Sequence, residues 1–248
     1  MTIRGWNKLY LEIVREFGYN SRLDYEAGII LGSIISSIKP SQIISDHTIS
    51  SMIKNETIFV IGAGNSLNTA IPTLKKSKGI VKIVADSAAK YMTDCGIIPD
   101  IIVTDLDGDA IALKRCNKMG TIHIVHAHGD NISKLYMATS FEKILGTTQS
   151  TPYGMVRNFG GFTDGDRSVF LASHFGAKRI VLFGMDYDGT VGRFSGTKKS
   201  DRKTKLKKLN KSREILGWLS GRTKSELLTT SSHIPGFQSI SYENLDSI

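Results

Sequence analysis

The stretch TIFVIGAGNSL, residues 57–67, decides the fold: five residues rich in β-branched and aromatic side chains meet two glycines, then a serine, then the start of an apolar helix. A short continuous apolar run suits a strand buried on both faces, and a glycine turn leading into a helix is the joint of a parallel strand–helix unit. Working outward, the same grammar repeats at VKIVAD (81–86), IIVTD (101–105), IHIVHA (122–127), KILGTT (143–148) and RIVLFG (179–184), with Ser239 to Tyr242 as an edge strand. Helical stretches fill the gaps. One runs from Leu67 to Leu74 behind a Ser66 cap, one from Ser87 to just before Gly96, and others over 109–119, 130–140 and 166–175. The alternation predicts an α/β fold with a mostly parallel, Rossmann-like sheet and crossover helices.

Upstream the pattern is helical. Trp6, Leu9, Tyr10, Ile13, Val14 and Phe17 share a stripe closed by Gly18. A wider stripe runs from Asp24 to Lys39 and ends at Pro40, and a weaker helix covers Ser41 to Lys54. The expected organisation is a helical region over 1–55 packed on a catalytic α/β domain over 56–248. Downstream, the segment 193–213 holds ten Lys or Arg against Asp201 alone, so it accounts for the whole formal charge of +9. A neutral body with one basic segment argues against nucleic acid as a partner, a basic arm on RNA being the alternative. Leu206, Leu209, Leu216 and Leu219 make this segment a helix, and its glycine-rich start after RIVLFG makes it a candidate lid. Cys95 and Cys116 lack metal spacing and fit free thiols in a cytoplasmic compartment. The apolar stretch Ala27 to Ile35 is broken by Gly32 and Ser33 and is too short for a bilayer, so no membrane is expected.

In open parallel sheets, ligands bind beyond the carboxyl ends of the strands. The exits read GAGNSL (62–67), ADSA (85–88), TDLDGD (104–109), HAHGDN (126–131) and GMDYDG (184–189), with GFTDGDR (161–167) between the last two core strands. Any one of these aspartates is explained by capping, and Asp109, Asp130 and Asp166 fit that reading well. Capping leaves their coincidence unexplained, because two carboxylates about 4 Å apart repel by roughly 4 kcal/mol at an effective dielectric of 20. A cation offsets that cost, and oxygen ligands without a Cys or His cluster favour Mg²⁺. GAGNSL sits where backbone N–H groups could receive phosphate, although it lacks a full GxGxxG and also reads as a plain tight turn. Walker A, protein-kinase and GxSxG motifs are absent from the chain. His123 and His126 fall on opposite faces of their strand, which leaves His126 and His128 together and gives zinc little support.

Taken in order, GAGNSL, ADSA, IIPDIIVTDLDGD, HAHGDN, GFTDGDR and FGMDYDG, followed by a Lys-rich helix, resemble the archaeal 6-hydroxymethyl-7,8-dihydropterin pyrophosphokinases, the MptE-like group. The likeness runs from about Thr57 to Gly221, with Asn65 standing where relatives often carry proline. The pattern at Pro99, Asp100, Asp105 and Asp107 also resembles thiamin pyrophosphokinase. The resemblance implies Mg²⁺-dependent transfer of pyrophosphate from ATP to the pterin hydroxymethyl group, releasing AMP. It implies Asp105, Asp107 and Asp130 as catalytic and metal-site acids. Gly62, Gly64, Asn65, Ser66, Asp86, His128, Arg167, Lys205 and Lys208 would contact the nucleotide, and Asp164 or Asp186 the pterin edge. The expected partners are the pterin and ATP, with a homo-oligomer admitted. The competing classes are a nucleotide-sugar glycosyltransferase of the flagellin-modifying type, which shares the glycine turn, thiamin pyrophosphokinase, and an RNA-binding protein.

Overall fold

A computed structural model describes residues 3–247. Its eight strands are β1 Thr57–Ile61, β2 Val81–Ala85, β3 Ile101–Thr104, β4 Ile122–Ala127, β5 Ile144–Thr148, β6 Arg179–Phe183, β7 Glu226–Thr229 and β8 Gln238–Ser239. They form one sheet in the order β5-β4-β3-β2-β1-β6-β7-β8, and every pairing is parallel. The chain therefore starts mid-sheet, walks out to β5, and returns to lay β6 against the free side of β1.

The period-two alternation of each strand feeds two cores. Ile58 and Val60 face one layer, with Trp6, Tyr10 and Ile13 of α1 (Trp6–Phe17), Ile49 and Ile53 of α3 (Asp46–Ile53), α7 (Asp164–His174) and α8 (Arg202–Ser220). Phe59 and Ile61 face the other, with Ala27, Leu31 and Ile35 of α2 (Ser21–Ser37), α4 (Leu67–Lys76), α5 (Asp86–Asp94) and α6 (Ala110–Lys118). The amino-terminal helices thus belong to both cores: α1 and α3 cover one face and α2 the other. Asn20 starts α2 by accepting the N–H groups of Arg22 and Leu23, three residues ahead of the expected start. No helix among the described residues is long and apolar enough to cross a membrane.

Three elements differ from expectation. The stretch 129–140 is 3₁₀ rather than α-helical. Asn131 is pulled inward to the carbonyls of Asp105 and His126, while the hydroxyls of Thr139 and Ser140 donate to carbonyls three residues back, which favours the tighter winding. The strand β7 was not expected, because it has only Leu227 and Leu228 as an apolar run, against the three of β3. The edge strand β8 is two residues long and precedes most of the expected span.

Trp6 is almost wholly buried, edge-on to Phe170 at 5.3 Å, with its indole N–H donating to the Gln149 carbonyl. Trp6→Ala is expected to cost about 3–5 kcal/mol in a single cooperative unfolding transition. A loss below about 1 kcal/mol in denaturant titration would mean that α1 is only laid on the surface.

Candidate active site

Asp86 is the first residue of α5, at the exit of β2, and is 1% exposed. Its Oδ2 accepts the Thr104 hydroxyl at 2.5 Å and the Gly108 N–H at 3.1 Å, which fastens the end of β2 to the turn after β3. Its Oδ1 is buried without a hydrogen-bond partner. The turn is bent to suit. Leu106 takes a left-handed φ of 67° with its N–H on the Thr104 hydroxyl oxygen, an uncommon conformation for a branched residue. A Cβ on Gly108 would lie 2.0 Å from Asp86 Oδ1, so only glycine admits the carboxylate there.

The bend directs Asp105 and Asp107 toward Asp86, and one oxygen from each of the three carboxylates lies within 4.8 Å of the others. Burial lifts the pKa of Asp86 to about 7, against the Thr104 hydrogen bond, and the charges of Asp105 and Asp107 add to the rise. Asp107 is raised to about 6 by burial and by Asp105. Burial opposes ionisation of Asp105 too, but hydrogen bonds from His128 and Asp107 hold it below the carboxylate range. His128 Nδ1 accepts the Asp130 N–H, so its Nε2–H is the group that donates to Asp105 Oδ2 at 3.3 Å. Asp164, at the start of α7, is raised well above its ordinary value by burial and by Asp105, Asp86 and Asp107. Asp86, Asp107 and Asp164 thus hold their protons to higher pH than free carboxyls do, a cost that a cation would relieve. A buried, unpartnered oxygen and three converging hard ligands fit a divalent cation such as Mg²⁺.

Above the acids opens a cavity of about 730 Å³. Asp105, Asp107, Asp130 and Asp164 line it together with Lys134, Lys198, Lys205 and Lys208. The basic segment overhangs it, since residues 195–198, Asp201 and Thr204 also line the wall. Lys205 counters the upward shift of Asp107, while Lys208 stands 5.7 Å over the Tyr19 ring and feels Asp105 and Asp130. Lys207 points elsewhere: its ammonium donates to the Glu16 carbonyl and lies 4.2 Å over the Phe17 ring.

Several expected roles change. Asp130 does not join the acid cluster; it lies in the first turn of the 3₁₀ segment that Gly129 begins, and its side chain is 75% exposed. The GAGNSL turn does not present an open phosphate cradle. The amides of Gly62 and Gly64 donate to Phe183 and Gly184 carbonyls, and Ser66 gives both its N–H and its hydroxyl to Asp186. A carboxylate of the protein itself therefore sits at the amino end of α4, where a phosphate would have bound. Gly62 and Gly64 serve close approach of the β1 and β6 exits, since a Cβ on either would lie within 2.7 Å of the Gly184 carbonyl oxygen. Asn65 holds the segment after β6, accepting the Arg193 N–H and donating to Thr190. With both oxygens on Ser66, Asp186 is not free to read a pterin edge, whereas Asp164 lines the large cavity within electrostatic reach of the three acids. Arg167 is buried, with its fork on the carbonyls of Gly160 and Phe162. Asp109 and Asp166 do cap, the first on the Ala112 N–H and the second on those of Phe162 and Thr163.

Asp24 was missed. It is 4% exposed and receives the Tyr10 hydroxyl, the Gln149 amide and the Gly129 N–H, which ties α2 to the exit of β4. A signal was present: Asp24 shares the helical stripe of Ala27, Gly28, Leu31 and Ile35, where an acid is buried unless the helix faces solvent.

The chain is similar to known proteins over most of its length. The family model described as "6-hydroxymethylpterin diphosphokinase MptE-like" matches residues 37–192. A Pyrococcus furiosus protein named 6-hydroxymethyl-7,8-dihydropterin pyrophosphokinase is 40% identical, covering 90% of this chain and 96% of its own length. A protein of the same name from Methanocaldococcus jannaschii is 37% identical, covering 92% and 100%. Among solved structures, a MAf glycosyltransferase from Magnetospirillum magneticum shares the fold with a TM-score of 0.56 at 17% identity, over 79% of this chain and 38% of that one.

Since the pKa of Asp86 is raised on folding, its contribution is least unfavourable at low pH and worsens as pH climbs from the unfolded value near 4 to the folded value of about 7. Asp86→Asn keeps an acceptor for Thr104 and removes the charge. In metal-free buffer it is expected to raise Tm by a few degrees at pH 8 and by less at pH 5. Equal shifts at both pH values, or a lower Tm at pH 8, would contradict a strained carboxylate at this position.

Proposed function

The chain belongs to the 6-hydroxymethylpterin diphosphokinase MptE-like family, and on that premise we propose that it transfers pyrophosphate from ATP to 6-hydroxymethyl-7,8-dihydropterin, yielding the pterin diphosphate and AMP. The observation that supports this reading best is the convergence of Asp86, Asp105 and Asp107, one of them with an unpartnered buried oxygen, beneath a lysine-edged cavity. These three acids would hold Mg²⁺, which supplies charge neutralisation on the polyphosphate. Lys205 and Lys208 bring further positive charge to the phosphates from the overhanging helix. The hydroxymethyl oxygen attacks the β-phosphorus, the bond from that phosphorus to the α,β-bridging oxygen breaks, and AMP departs with that oxygen. The hydroxyl proton passes to a rim carboxylate. Little covalent help is required in such a transfer, so the chain's task is to position both partners and match the developing charge. His128 serves that task by fixing the Asp105 carboxylate through its Nε2–H.

With ATP and a panel of 6-hydroxymethyl-7,8-dihydropterin, thiamin and nucleotide sugars, chromatography should show AMP accumulating with the pterin. Consumption of thiamin or a sugar nucleotide while the pterin stays intact rejects the reading. Asp105→Asn and Asp107→Asn are each expected to lower kcat at least about 100-fold with the fold retained, and full activity of both at limiting Mg²⁺ would remove the metal from the mechanism.

The lysines separate by geometry. Lys205→Ala and Lys208→Ala should each raise KM for ATP severalfold and lower kcat, whereas Lys207→Ala, whose ammonium is spent on α1, should leave ATP kinetics within about twofold. A kinetic loss confined to the Lys207 variant would show that the helix presents a different face.

A further inference from the structure

Transfer to a hydroxyl leaves a proton to be placed, and most acids along the large cavity and the smaller one of about 80 Å³ beside it are already committed. Asp24 receives three donors, from Tyr10, Gln149 and Gly129. Asp186 has both oxygens on Ser66. Asp105 and Asp107 converge with Asp86 where a cation fits, and hydrogen bonding holds Asp105 below the carboxylate range, which makes it a weak base. Asp130 and Asp201 are exposed, the second on the Ser200 hydroxyl.

Asp164 differs from all of these. It is half-buried and lines both cavities, as do Ser87, Lys205 and Lys208. Among the described residues its carboxyl has no hydrogen bond or ion pair; only its backbone carbonyl is used, by the Ser168 hydroxyl. Nor does α7 need it as a cap, because Asp166 already reaches back to the Thr163 N–H and hydroxyl. A carboxyl on a cavity wall without a protein partner is free to meet a ligand. Its charge is governed by what surrounds it. Burial and the charges of Asp105, Asp86 and Asp107 raise its pKa well above the ordinary value, while Arg167 on its own helix opposes them and Lys205 and Lys208 share its wall from α8. A divalent cation on the three acids would cancel their repulsion and bring the carboxylate to a strength suited to taking a proton near neutrality.

We propose that Asp164 is the general base of the transfer and meets the hydroxymethyl group of the acceptor rather than the edge of its ring. The hydroxyl proton passes to a carboxylate oxygen of Asp164 as the hydroxyl oxygen bonds the β-phosphorus. The electron pair of the breaking bond leaves on the α,β-bridging oxygen with AMP, and the proton then returns to solvent through the cavity. The step requires a carboxylate near the acids that would hold the cation and its phosphates, yet not itself a ligand of that cation, and Asp164 stands outside their cluster. The inference rests on the pterin reading above and names the carboxylate that takes the proton.

Asp164→Asn keeps the shape of the side chain and removes the base. Its kcat for AMP formation should fall about 100-fold or more, with KM for ATP and for the pterin within about threefold of wild type, and Asp164→Glu should recover part of the loss. Two readouts need no turnover. Calorimetry with Mg²⁺ and α,β-methylene-ATP, and separately with 6-methyl-7,8-dihydropterin, should give affinities within about threefold of wild type. The Tm of the Asn variant at pH 8 in metal-free buffer should be no lower than that of wild type, because the substitution removes a destabilising charge. A kcat within about threefold of wild type overturns the inference. So does a loss carried by weaker binding of either ligand with kcat kept, the mark of a seat rather than a base, or a loss of kcat that comes with a lowered Tm. If the wild-type protein forms no AMP from ATP and the pterin, the proposed reaction fails and this inference with it, whereas wild-type turnover beside an unimpaired Asn variant defeats this inference alone.

Discussion

The carboxylate of Asp86, buried at the exit of β2 with one oxygen satisfied and one not, is the constraint around which the catalytic side of the sheet is arranged. Holding it there requires a hydroxyl at Thr104, a glycine at 108 and a left-handed Leu106, and that bend is what turns Asp105 and Asp107 inward. The next strand is secured to the same turn, since Asn131 bonds the Asp105 and His126 carbonyls and His128 bonds the Asp105 side chain. Asp24 then draws α2 onto Gly129. A charge that is costly in isolation thus sits at the centre of a connected polar frame, the arrangement expected where function outweighs local stability.

The rim is divided between two kinds of strand exit. Sheets of this topology bind ligands at the point where strand order reverses, here between β1 and β6. In this chain that crevice is small, about 80 Å³, because the Asp186–Ser66 pair and the interlocked glycines fill it. The larger space has moved over β2, β3 and β4, roofed by the basic segment and closed at one end by the amino-terminal helices. Phe194 stacks on Tyr91 of α5 at 3.9 Å, so the roof is fastened to the helix that Asp86 begins. Its glycines 189 and 196, both at positive φ, flank that fastening.

Most of the sheet was legible because its central strands are continuous apolar runs between glycine or aspartate turns, a pattern with few competing explanations. β7 has only Leu227 and Leu228 as an apolar run, against the three of β3, and the two residues of β8 were read only as an edge strand displaced toward Tyr242. The site was legible only in part. That aspartates gather at the carboxyl ends of strands can be read from the exits, but which of them share a cation depends on where each lone pair is already spent. Asp186 spends its oxygens on Ser66, Asp109 on the Ala112 amide and Asp188 on Thr190, whereas one Asp86 oxygen is spent on nothing. Asp105 and Asp107 are two residues apart, a spacing that would put them on one face of a strand; here the positive φ of Leu106 achieves the convergence in a turn instead. Arg167 and His126 were visible as residues, but not as orphaned atoms, because that property belongs to their neighbours.

Lysines and acids share the wall of the cavity, and burial bears on the charge of both. Lys205 and Lys208 are half-buried on the cavity wall, Lys208 over the Tyr19 ring, where a polyphosphate would offset the cost of burying their charge. The acids lie close enough to repel, so that a cation would stabilise them and bound phosphates together. Farther into the fold His126 and Arg167 are buried, the guanidinium braced by the Gly160 and Phe162 carbonyls and the imidazole pushed well below its ordinary range by burial. A ligand with an anionic tail would therefore be drawn to the lysines and, through a cation, to the acids, so that the two opposite charges of the wall act on it together.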